Sequence, residues 1–248
     1  MSVDAVERLH HIRTSIDRSG RARVADLAVE LDVSEMTIRR DLDLLAEDGL
    51  VQRIRGGALA VGPQPFSDRF ARHQRAKDRI AAKLVDLVGD GGAIGVDAST
   101  TLQRLAGRIA GVRELTVVTN GPDTFQALQE RPGVTALLTG GQLDPRTGSL
   151  VGPLASRAAR ELLIRRLFVS AAGVDPEHGS SEATLEEADV KIALADVSAE
   201  VVLAVDSTKL GQRGPARALP ADRVATLVTE LDPDDHRLDP YRDAWLVL

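Results

Sequence analysis

Apolar residues recur at helical spacing in three successive segments at the start of the chain. Residues 4–18, 24–31 and 35–48 each place Leu, Ile, Val or Ala three or four positions apart, which is typical of amphipathic helices. A tight break at residues 32–34 separates the second segment from the third, and Gly49 stands where the third helix would end. The pattern predicts three short helices around one apolar core.

A strand-turn-strand pattern follows these helices. Leu50–Ile54 is predicted as a short strand, Gly56–Gly57 as a turn and Ala58–Val61 as the returning strand, which together would form a wing. The proline-containing run Gly62–Pro65 then breaks the composition of the chain. We place a linker at this run.

Beyond the linker, helical patterns alternate with short apolar runs. Residues 73–88 predict a longer amphipathic helix, and residues 211–220 are expected to form an exposed loop. Continuous apolar runs are typical of strands buried on both faces, and their alternation with helices favours a parallel sheet. The predicted strands are Ala93–Val96, Leu115–Val118, Val134–Leu138, Leu167–Val169, Val201–Val205, Ala225–Val228 and Trp245–Leu248.

The 248 residues are therefore predicted to form an α/β protein of two domains. We expect a small winged helix-turn-helix domain over residues 1–60, a linker over 61–72, and a larger α/β domain with a mostly parallel sheet over 73–248. The chain has no cysteine, which excludes disulfides and thiolate metal sites. Because we find no signal peptide and no apolar run of membrane length, we expect a cytoplasmic protein.

Bulk charge argues against a nucleic-acid partner. The formal net charge is −6, and residues 1–60 hold nine arginines and eleven acidic residues, which leaves −2. Binding to DNA would therefore require a small, local basic face.

The third predicted helix offers such a face. Ser34 is a good N-cap, and Ile38, Leu42 and Leu45 would turn towards the core. The opposite side would carry Thr37 and Arg40, with Arg39 flanking them, as a recognition helix carries its contacts into the major groove. The acidic residues Asp41, Asp43, Glu47 and Asp48 would lie away from the groove, and Arg53 and Arg55 of the wing would reach the DNA backbone or the minor groove. The alternative is that Arg39 and Arg40 are ordinary solvated surface residues and that the three helices only pack against one another.

Polar residues follow most of the predicted strands of the second domain. In a parallel sheet these ends share one edge, where ligands bind, and hydroxyls and free amides at helix N-termini favour an anion such as phosphate. The candidate ligand-binding residues are Asp97, Ser99, Thr100, Thr101, Thr119, Asn120, Gly140, Gly141, Asp206 and Lys209 at strand ends, with Lys191 on a helix.

Simpler roles exist for several of these residues. Ser99–Thr101 could serve simply to cap a helix, and Gly140–Gly141 could simply form a turn. Lys191 could lie on a solvated face beside acidic neighbours. The five histidines lack the spacing of a metal site or a catalytic triad, so we expect no metal, no cofactor and no catalytic group. They are His10, His11, His73, His178 and His236.

The N-terminal pattern resembles the DeoR family of bacterial repressors. The resemblance rests on Leu27–Ala28, Leu31–Ser34, Thr37–Leu42, Gly49–Leu50, Arg53 and Gly56–Ala58. It continues through the second domain at Arg69, Lys77, Asp97–Thr101, Thr119–Asn120, Gly140–Gly141, Gly152, Lys191 and Asp206–Lys209. Three departures are Arg55, where many members have His, Ser99, where Gly is common, and the run Gly179–Ser181.

The resemblance implies the roles of both domains. By it, Ser34, Thr37, Arg39 and Arg40 contact DNA. The same resemblance implies that the second domain is similar to sugar-phosphate isomerases and would bind a phosphorylated sugar or a related metabolite, with Ser99–Thr101, Lys191 and Lys209 at the phosphate. Gly152 joins the expected effector site.

Three functions compete at this point. The first is a repressor of a carbohydrate operon that a phosphorylated metabolite releases from operator DNA. The second is a sugar-phosphate isomerase-like enzyme with an appended DNA-binding domain, in which Asp97, Asp206 and Lys209 would transfer protons. The third is an architectural DNA-binding protein, against which the polar strand ends argue. A repressor that reads two half-sites is expected to be a homo-oligomer, a dimer or a tetramer.

Overall fold

The structure, a computed structural model, describes residues 3–47, 50–60 and 66–248. The chain divides into two compact units, residues 1–69 and residues 70–248, and each has an apolar core of its own. The features expected at Asp48, at Gly49 and in residues 61–65 lie outside the described residues. Within the interval expected as a linker, residues Phe66–Ala71 form a helix.

The first unit contains the three predicted helices and the predicted hairpin. Its core is fully buried at Ile12, Ile16, Ile38 and Leu42, so the helical periodicity identified the inward face correctly. Its elements are α1 (Val3–Ser19), β1 (Arg21–Arg23), α2 (Val24–Glu30), α3 (Glu35–Glu47), β2 (Val51–Ile54) and β3 (Gly57–Ala60).

Strand β1 was not predicted, and it changes the role of Gly57. The three strands form an antiparallel sheet in the order β1-β3-β2, with Arg23 opposite Gly57. A Cβ on Gly57 would lie 2.1 Å from the carbonyl oxygen of Ala22. The turn itself is Arg55–Gly56, with a φ of 79° at Gly56, so placing Gly57 in the turn was wrong. Gly57 instead permits the close approach of two strands.

A buried ion pair joins two helices of the first unit. Asp41 on α3 is only 5% exposed, and its Oδ2 accepts a 2.5 Å hydrogen bond from Nε of Arg8 on α1. Asp41 therefore lies away from the exposed face of α3 as expected, but inside the unit.

The second unit is built on a seven-stranded parallel sheet. The strand order is β15-β14-β12-β9-β4-β5-β6, and every neighbouring pair is parallel. Apolar cores lie on both faces of the sheet, which confirms the predicted α/β fold. The elements that follow Phe66–Ala71 (α4) are α5 (Gln74–Val88), β4 (Ala93–Val96), α6 (Thr100–Ala106), β5 (Leu115–Thr119), α7 (Pro122–Leu128), β6 (Val134–Leu138), β7 (Gln142–Leu143), β8 (Leu150–Val151), α8 (Pro153–Arg160), β9 (Ile164–Val169), β10 (Gly173–Asp175), β11 (Gly179–Glu182), α9 (Leu185–Asp196), β12 (Ser198–Ala204), β13 (Ala216–Arg217), β14 (Thr226–Val228), α10 (Asp239–Arg242) and β15 (Leu246–Val247).

Short strands outside the main sheet were not predicted. Strands β10, β11 and β13 form a small antiparallel sheet, and β13 lies within residues 211–220, where only a loop was expected. This sheet carries Glu182 at the end of β11. None of the described helices is both long and apolar enough to cross a membrane.

Candidate functional site

The parallel arrangement brings the carboxyl ends of β4, β5, β6, β9 and β12 to one edge of the sheet. Most of the predicted ligand-binding residues follow these strands directly. Gly152 precedes α8, and Lys191 reaches the same edge from α9.

Asp97 connects the ends of two neighbouring strands. It directly follows β4 and is only 1% exposed. Its Oδ1 accepts a 2.8 Å hydrogen bond from the amide of Ser99, and its Oδ2 accepts one of 2.8 Å from the amide of Ser170, just after β9. The carboxylate therefore has a fixed position between β4 and β9.

Lys191 is buried among oxygen atoms rather than solvated. Its Nζ donates to the carbonyl oxygen of Ser170 at 2.6 Å and to Oε1 of Glu182, and it lies 3.1 Å from Oδ2 of Asp97. Two of the three ammonium hydrogens are thus used in hydrogen bonds, and Asp97 is an ion-pair partner of the same group. The expected contact of Lys191 with phosphate would compete with these oxygens.

The two carboxylates and the ammonium form a cluster, Asp97–Glu182–Lys191, with perturbed protonation. Burial raises the pKa of Glu182 to about 7, although the adjacent ammonium of Lys191 acts to lower it. Desolvation acts to lower the pKa of the Lys191 ammonium, but the combined attraction of Asp97, Glu182 and Glu187 outweighs it, so this pKa is raised. Near neutral pH, Glu182 therefore exchanges a proton while Lys191 stays charged.

The N-terminus of α6 carries backbone donors without partners. The Oγ of Ser99 accepts a 3.2 Å hydrogen bond from the amide of Leu102, so Ser99 caps the helix as in the simpler alternative. Thr100 and Thr101 are buried in the first turn. Within the described part of the chain, neither amide makes a hydrogen bond, which leaves both able to bind an anion.

Asn120 holds the end of β5 in place. Its Oδ1 accepts a hydrogen bond from the amide of Ala98, and its Nδ2 donates to the carbonyl oxygen of Leu150, both at 3.1 Å. The hydroxyl of Thr119 accepts a hydrogen bond from the amide of Gly121 at 3.0 Å. Asn120 and Thr119 therefore shape the site through bonds within the chain.

Three glycines at this edge have positive φ. Gly140 and Gly152, with φ of 72° and 87°, face open space. A Cβ on Gly141 would lie 2.7 Å from the carbonyl oxygen of Val151, so this glycine permits the loop after β6 to approach β8. The glycines thus serve the backbone path, and Gly140 and Gly152 leave room beside it.

Asp206 and Lys209 lie at the same edge but outside the cluster. Oδ1 of Asp206 accepts hydrogen bonds from the amide and the hydroxyl of Thr208, which caps the 3-10 turn Ser207–Lys209. No bond among the described residues links Asp206 to Asp97. The Nζ of Lys209 makes no hydrogen bond or ion pair with any described residue, and it remains available for a ligand.

Two residues that the sequence patterns did not single out, Glu182 and Thr124, lie at the site, and so does Ser170, which directly follows the predicted strand Leu167–Val169. Glu182 and Ser170 bind Lys191 directly. Thr124 on α7 is 1% exposed, and its hydroxyl has no hydrogen-bond partner. The sequence signal for Ser170 is its position at the end of a predicted strand. No local pattern identifies Glu182, because its contact with Lys191 forms only in the folded chain.

A second group of side chains is unsuited to a cation. Oxygen and nitrogen atoms of Asp175, Glu177 and His178 lie within 4.8 Å of one another. However, Oδ2 of Asp175 accepts two hydrogen bonds from the guanidinium of Arg213, at 3.0 and 2.7 Å. The positive charge of Arg213 already occupies this position.

In the first unit, Ser34 caps the candidate recognition helix α3. Its Oγ accepts a 3.1 Å hydrogen bond from the amide of Thr37 and lies 2.9 Å from Oγ1 of Thr37. The two side chains therefore fix each other at the exposed start of the helix.

The four predicted arginines differ in their surroundings. Arg39 is paired with Glu35 at 2.7 Å, and Arg53 is paired with Asp43 at 2.7 Å. Arg40 on α3 and Arg55 at the wing turn are exposed and have no partner among the described residues. Of the four predicted arginines, therefore, Arg40 and Arg55 are the two whose charge no described acidic residue compensates.

Each of the two units matches a known domain family in sequence. Residues 8–64 match the DeoR-like helix-turn-helix domain, and residues 72–231 match the DeoR C terminal sensor domain. Together the two matches cover most of the chain.

Several regulators are similar along nearly the whole chain. The HTH-type transcriptional regulator GolR of Listeria innocua is 31% identical over 244 residues, which covers 97% of this chain and 96% of the relative. The lactose phosphotransferase system repressor of Lactococcus lactis is 29% identical, with 97% of each chain covered. The L-fucose operon activator of Haemophilus influenzae is 29% identical, with 87% and 88% covered.

Solved structures are less similar. Ribose 5-phosphate isomerase from Plasmodium falciparum has a TM-score of 0.40 and 16% identity over 56% of this chain and 54% of the isomerase. The tetrameric eIF2B-beta2-delta2 complex from C. thermophilum has a TM-score of 0.46 and 13% identity, and 96% of this chain and 72% of that one are covered.

Proposed function

Since the chain belongs to the DeoR family of transcriptional regulators, we propose that it represses a carbohydrate-metabolism operon and that a phosphorylated sugar or related metabolite releases it from operator DNA. One observation carries the proposal. The same chain combines a capped helix that exposes the unpaired Arg40 with a sheet whose strands end in polar groups at one edge.

In the proposed DNA complex, α3 lies in the major groove. Ser34, Thr37, Arg39 and Arg40 face the DNA from the N-terminal half of the helix. Arg40 is the strongest candidate for base readout because a free guanidinium can bind a guanine edge with two hydrogen bonds. Arg53 and Arg55 contact the backbone, and Arg53 must first leave Asp43. A homo-oligomer, a dimer or a tetramer, places two such helices on two half-sites.

In the proposed effector complex, the phosphate lies at the N-terminus of α6. The free amides of Thr100 and Thr101 support this placement, and Lys209 supplies a positive charge without a competing partner. The carboxylates of Asp97 and Asp206 would accept hydrogen bonds from sugar hydroxyls. Lys191 then acts mainly on the position and charge of Asp97. The remaining candidates, Ser99, Thr119, Asn120, Gly140, Gly141 and Gly152, shape the backbone around the ligand.

The test begins with DNA selected by the full-length protein from a random-sequence duplex library. The selected duplex is titrated in a gel-shift assay, first alone and then with a panel of sugar phosphates. We expect tight binding that one sugar phosphate weakens, since an effector shifts an equilibrium only by its differential affinity for the two states. Failure to select any duplex would refute the proposal.

The direction of regulation requires its own measurement, because the relatives include an activator by name. A promoter carrying the selected duplex is transcribed in vitro with the purified protein. Repression that the same sugar phosphate relieves is the expected result. Stimulated transcription would contradict the repressor assignment while leaving DNA binding intact.

One observation favours an enzyme as a second candidate. The pKa of Glu182 is raised to about 7 beside Lys191 and Asp97, and groups poised near neutral pH can transfer protons in catalysis. A turnover assay with ribose, glucosamine and fructose phosphates distinguishes the two functions. We expect binding without turnover, and sustained turnover that Glu182→Gln abolishes would establish the enzyme.

A further inference from the structure

The first unit has few positive charges that are free to meet DNA. Its described arginines include three that are ion-paired with acids: Arg8 with Asp41, Arg39 with Glu35, and Arg53 with Asp43. An arginine held by a carboxylate contributes little to the attraction of a phosphate backbone. The sign of the electrostatic potential at the surface of this unit therefore depends on the arginines that are not paired with acids.

Four arginines of the described part of this unit have no hydrogen-bond or ion-pair partner for their guanidinium. Two of them, Arg40 and Arg55, belong to the recognition helix and the wing already discussed. The other two, Arg21 and Arg23, lie on β1, and both are exposed. Half of the uncompensated charge thus lies on a strand with no assigned role.

The geometry of β1 directs both of its arginines to the same side. Side chains two positions apart on a strand share a face, and Ala22 between them packs against the core instead. Arg21 lies opposite Leu59, and Arg23 lies opposite Gly57. The two guanidinium groups therefore extend from the solvent face of the small sheet.

The wing turn lies directly beside this strand. The amide of Val24, which follows Arg23, donates a 2.9 Å hydrogen bond to the carbonyl oxygen of Gly56 in the turn. The missing side chain of Gly57 allows β1 to lie this close to β3. Arg23 consequently lies beside the turn that contains Arg55, and Arg21 lies two residues further from this turn along β1.

We infer that Arg21 and Arg23 form a second phosphate-binding edge that grips the DNA backbone next to the wing. This inference rests on the proposed function, because it requires the wing to approach duplex DNA. A backbone strand that passes the wing turn carries regularly spaced negative charges, and a row of free guanidinium groups complements it. The contacts raise affinity without reading bases.

The experiment measures how binding depends on salt. Fluorescence anisotropy follows the affinity of the full-length protein for the duplex it selects from a random library, over a range of salt concentrations. Each lost phosphate contact lowers the slope of log affinity against log salt by about 0.9. On two half-sites the Arg21→Ala/Arg23→Ala double variant removes four such contacts, two from each protomer. It should therefore lose about 3.6 of slope, so that the affinity gap to the wild type shrinks on the order of 100-fold between roughly 50 and 200 mM salt.

Two control variants separate charge from other effects. Arg21→Lys/Arg23→Lys keeps both positive charges and should keep the wild-type slope. Arg113→Ala removes one exposed, acid-paired arginine of the second unit and should leave the slope unchanged. The base preference in the selected duplex should be the same for the double alanine variant and the wild type, while circular dichroism verifies the fold.

The possible outcomes distinguish a failure of this inference from a failure of the proposed function on which it rests. If the wild type selects no duplex, the proposed function fails and the inference fails with it. If the wild type binds and Arg40→Ala weakens binding, but the double alanine variant keeps the wild-type slope, only the inference is overturned. Association of that variant into larger species at an unchanged slope would also overturn it, because the arginines would then serve to protect an edge strand.

Discussion

The ammonium of Lys191 lies 3.1 Å from the carboxylate of Asp97, and this contact joins helix α9 to the end of strand β4. The same ammonium binds Glu182, so one cation serves two buried carboxylates. Breaking such a set is costly, because the groups left behind stay buried without compensation.

We expect Lys191→Met to destabilise the protein strongly. The substitution leaves Asp97 and Glu182 together without their cation, and the loss of one partner of a buried ion pair typically costs about 3–5 kcal/mol. Urea unfolding at neutral pH measures the free energy of unfolding. Lys209→Met removes an unpartnered lysine at the same edge and should remain near the wild type. Equal stability of the Lys191→Met variant and the wild type would contradict the role of the cluster.

Glu182 should make stability depend on pH. Its pKa in the folded protein is raised to about 7 from 4.5, so the folded state holds a proton that the unfolded chain has lost. The contribution is fully present below about 4.5 and is lost as the pH rises through about 7. Relative to Glu182→Gln, wild-type stability should fall by on the order of 3 kcal/mol across this window. Parallel pH profiles of the two proteins would show that Glu182 does not titrate there.

Arg40 and Arg39 should differ in their importance for operator binding. Arg40 is free, and Arg39 is already bound to Glu35. Arg40→Ala should reduce affinity for the selected duplex by about 10–100-fold, in line with about 1–3 kcal/mol for a bidentate base contact. Arg39→Ala should cost less, and both variants should keep wild-type melting temperatures and effector binding. A larger loss for Arg39→Ala would reverse the assignment.

Ser34 should have separable roles in stability and in DNA binding. Ser34→Ala removes the N-cap of α3 and should lower the free energy of unfolding of this unit by about 1 kcal/mol. Ser34→Asp keeps a capping oxygen but places a negative charge at the proposed DNA surface. It should therefore fold as stably as the wild type and bind the duplex much more weakly. Weak binding by Ser34→Ala alone would not distinguish the two roles, so the aspartate variant is the decisive one.

The two neighbouring glycines of the wing should tolerate different substitutions. A Cβ at Gly57 meets the backbone of Ala22, so Gly57→Ala should cost about 1–3 kcal/mol as an overpacked site. Gly56 has positive φ and open space around it, so Gly56→Asn should cost little, because Asn adopts this conformation more readily than other residues. Thermal unfolding of both variants is the measurement, and a milder effect at Gly57 would contradict the strand packing.

Hydrophobic periodicity was sufficient to predict the helices and strands that have long or continuous apolar patterns. The core positions Ile12, Ile16, Ile38 and Leu42 and the seven strands of the parallel sheet follow from local sequence. Strand β1 does not, because it has three residues and two of them are arginine. Its existence depends on pairing with β3, a contact that no local pattern contains.

The polar strand ends were predictable, but their bonding was not. Asp97 directly follows an apolar strand, so its place at the sheet edge follows from the pattern of the chain. That Lys191 turns inwards depends on Glu182 and on the carbonyl of Ser170. In the sequence alone, Lys191 stands among acidic helix neighbours and is indistinguishable from a solvated lysine.

The strand order has a consequence for the biosynthesis of the protein. Strand β4 pairs with β5, which follows soon after it, but its other neighbour is β9, where Ile94 lies opposite Arg166. The middle of the sheet therefore stays open until residues 164–169 have left the ribosome. Ala58 is the last buried core residue of the first unit in chain order, so a growing chain completes the first unit well before the second. For that interval, a nascent chain would hold the completed helix-turn-helix unit beside an unfinished second unit.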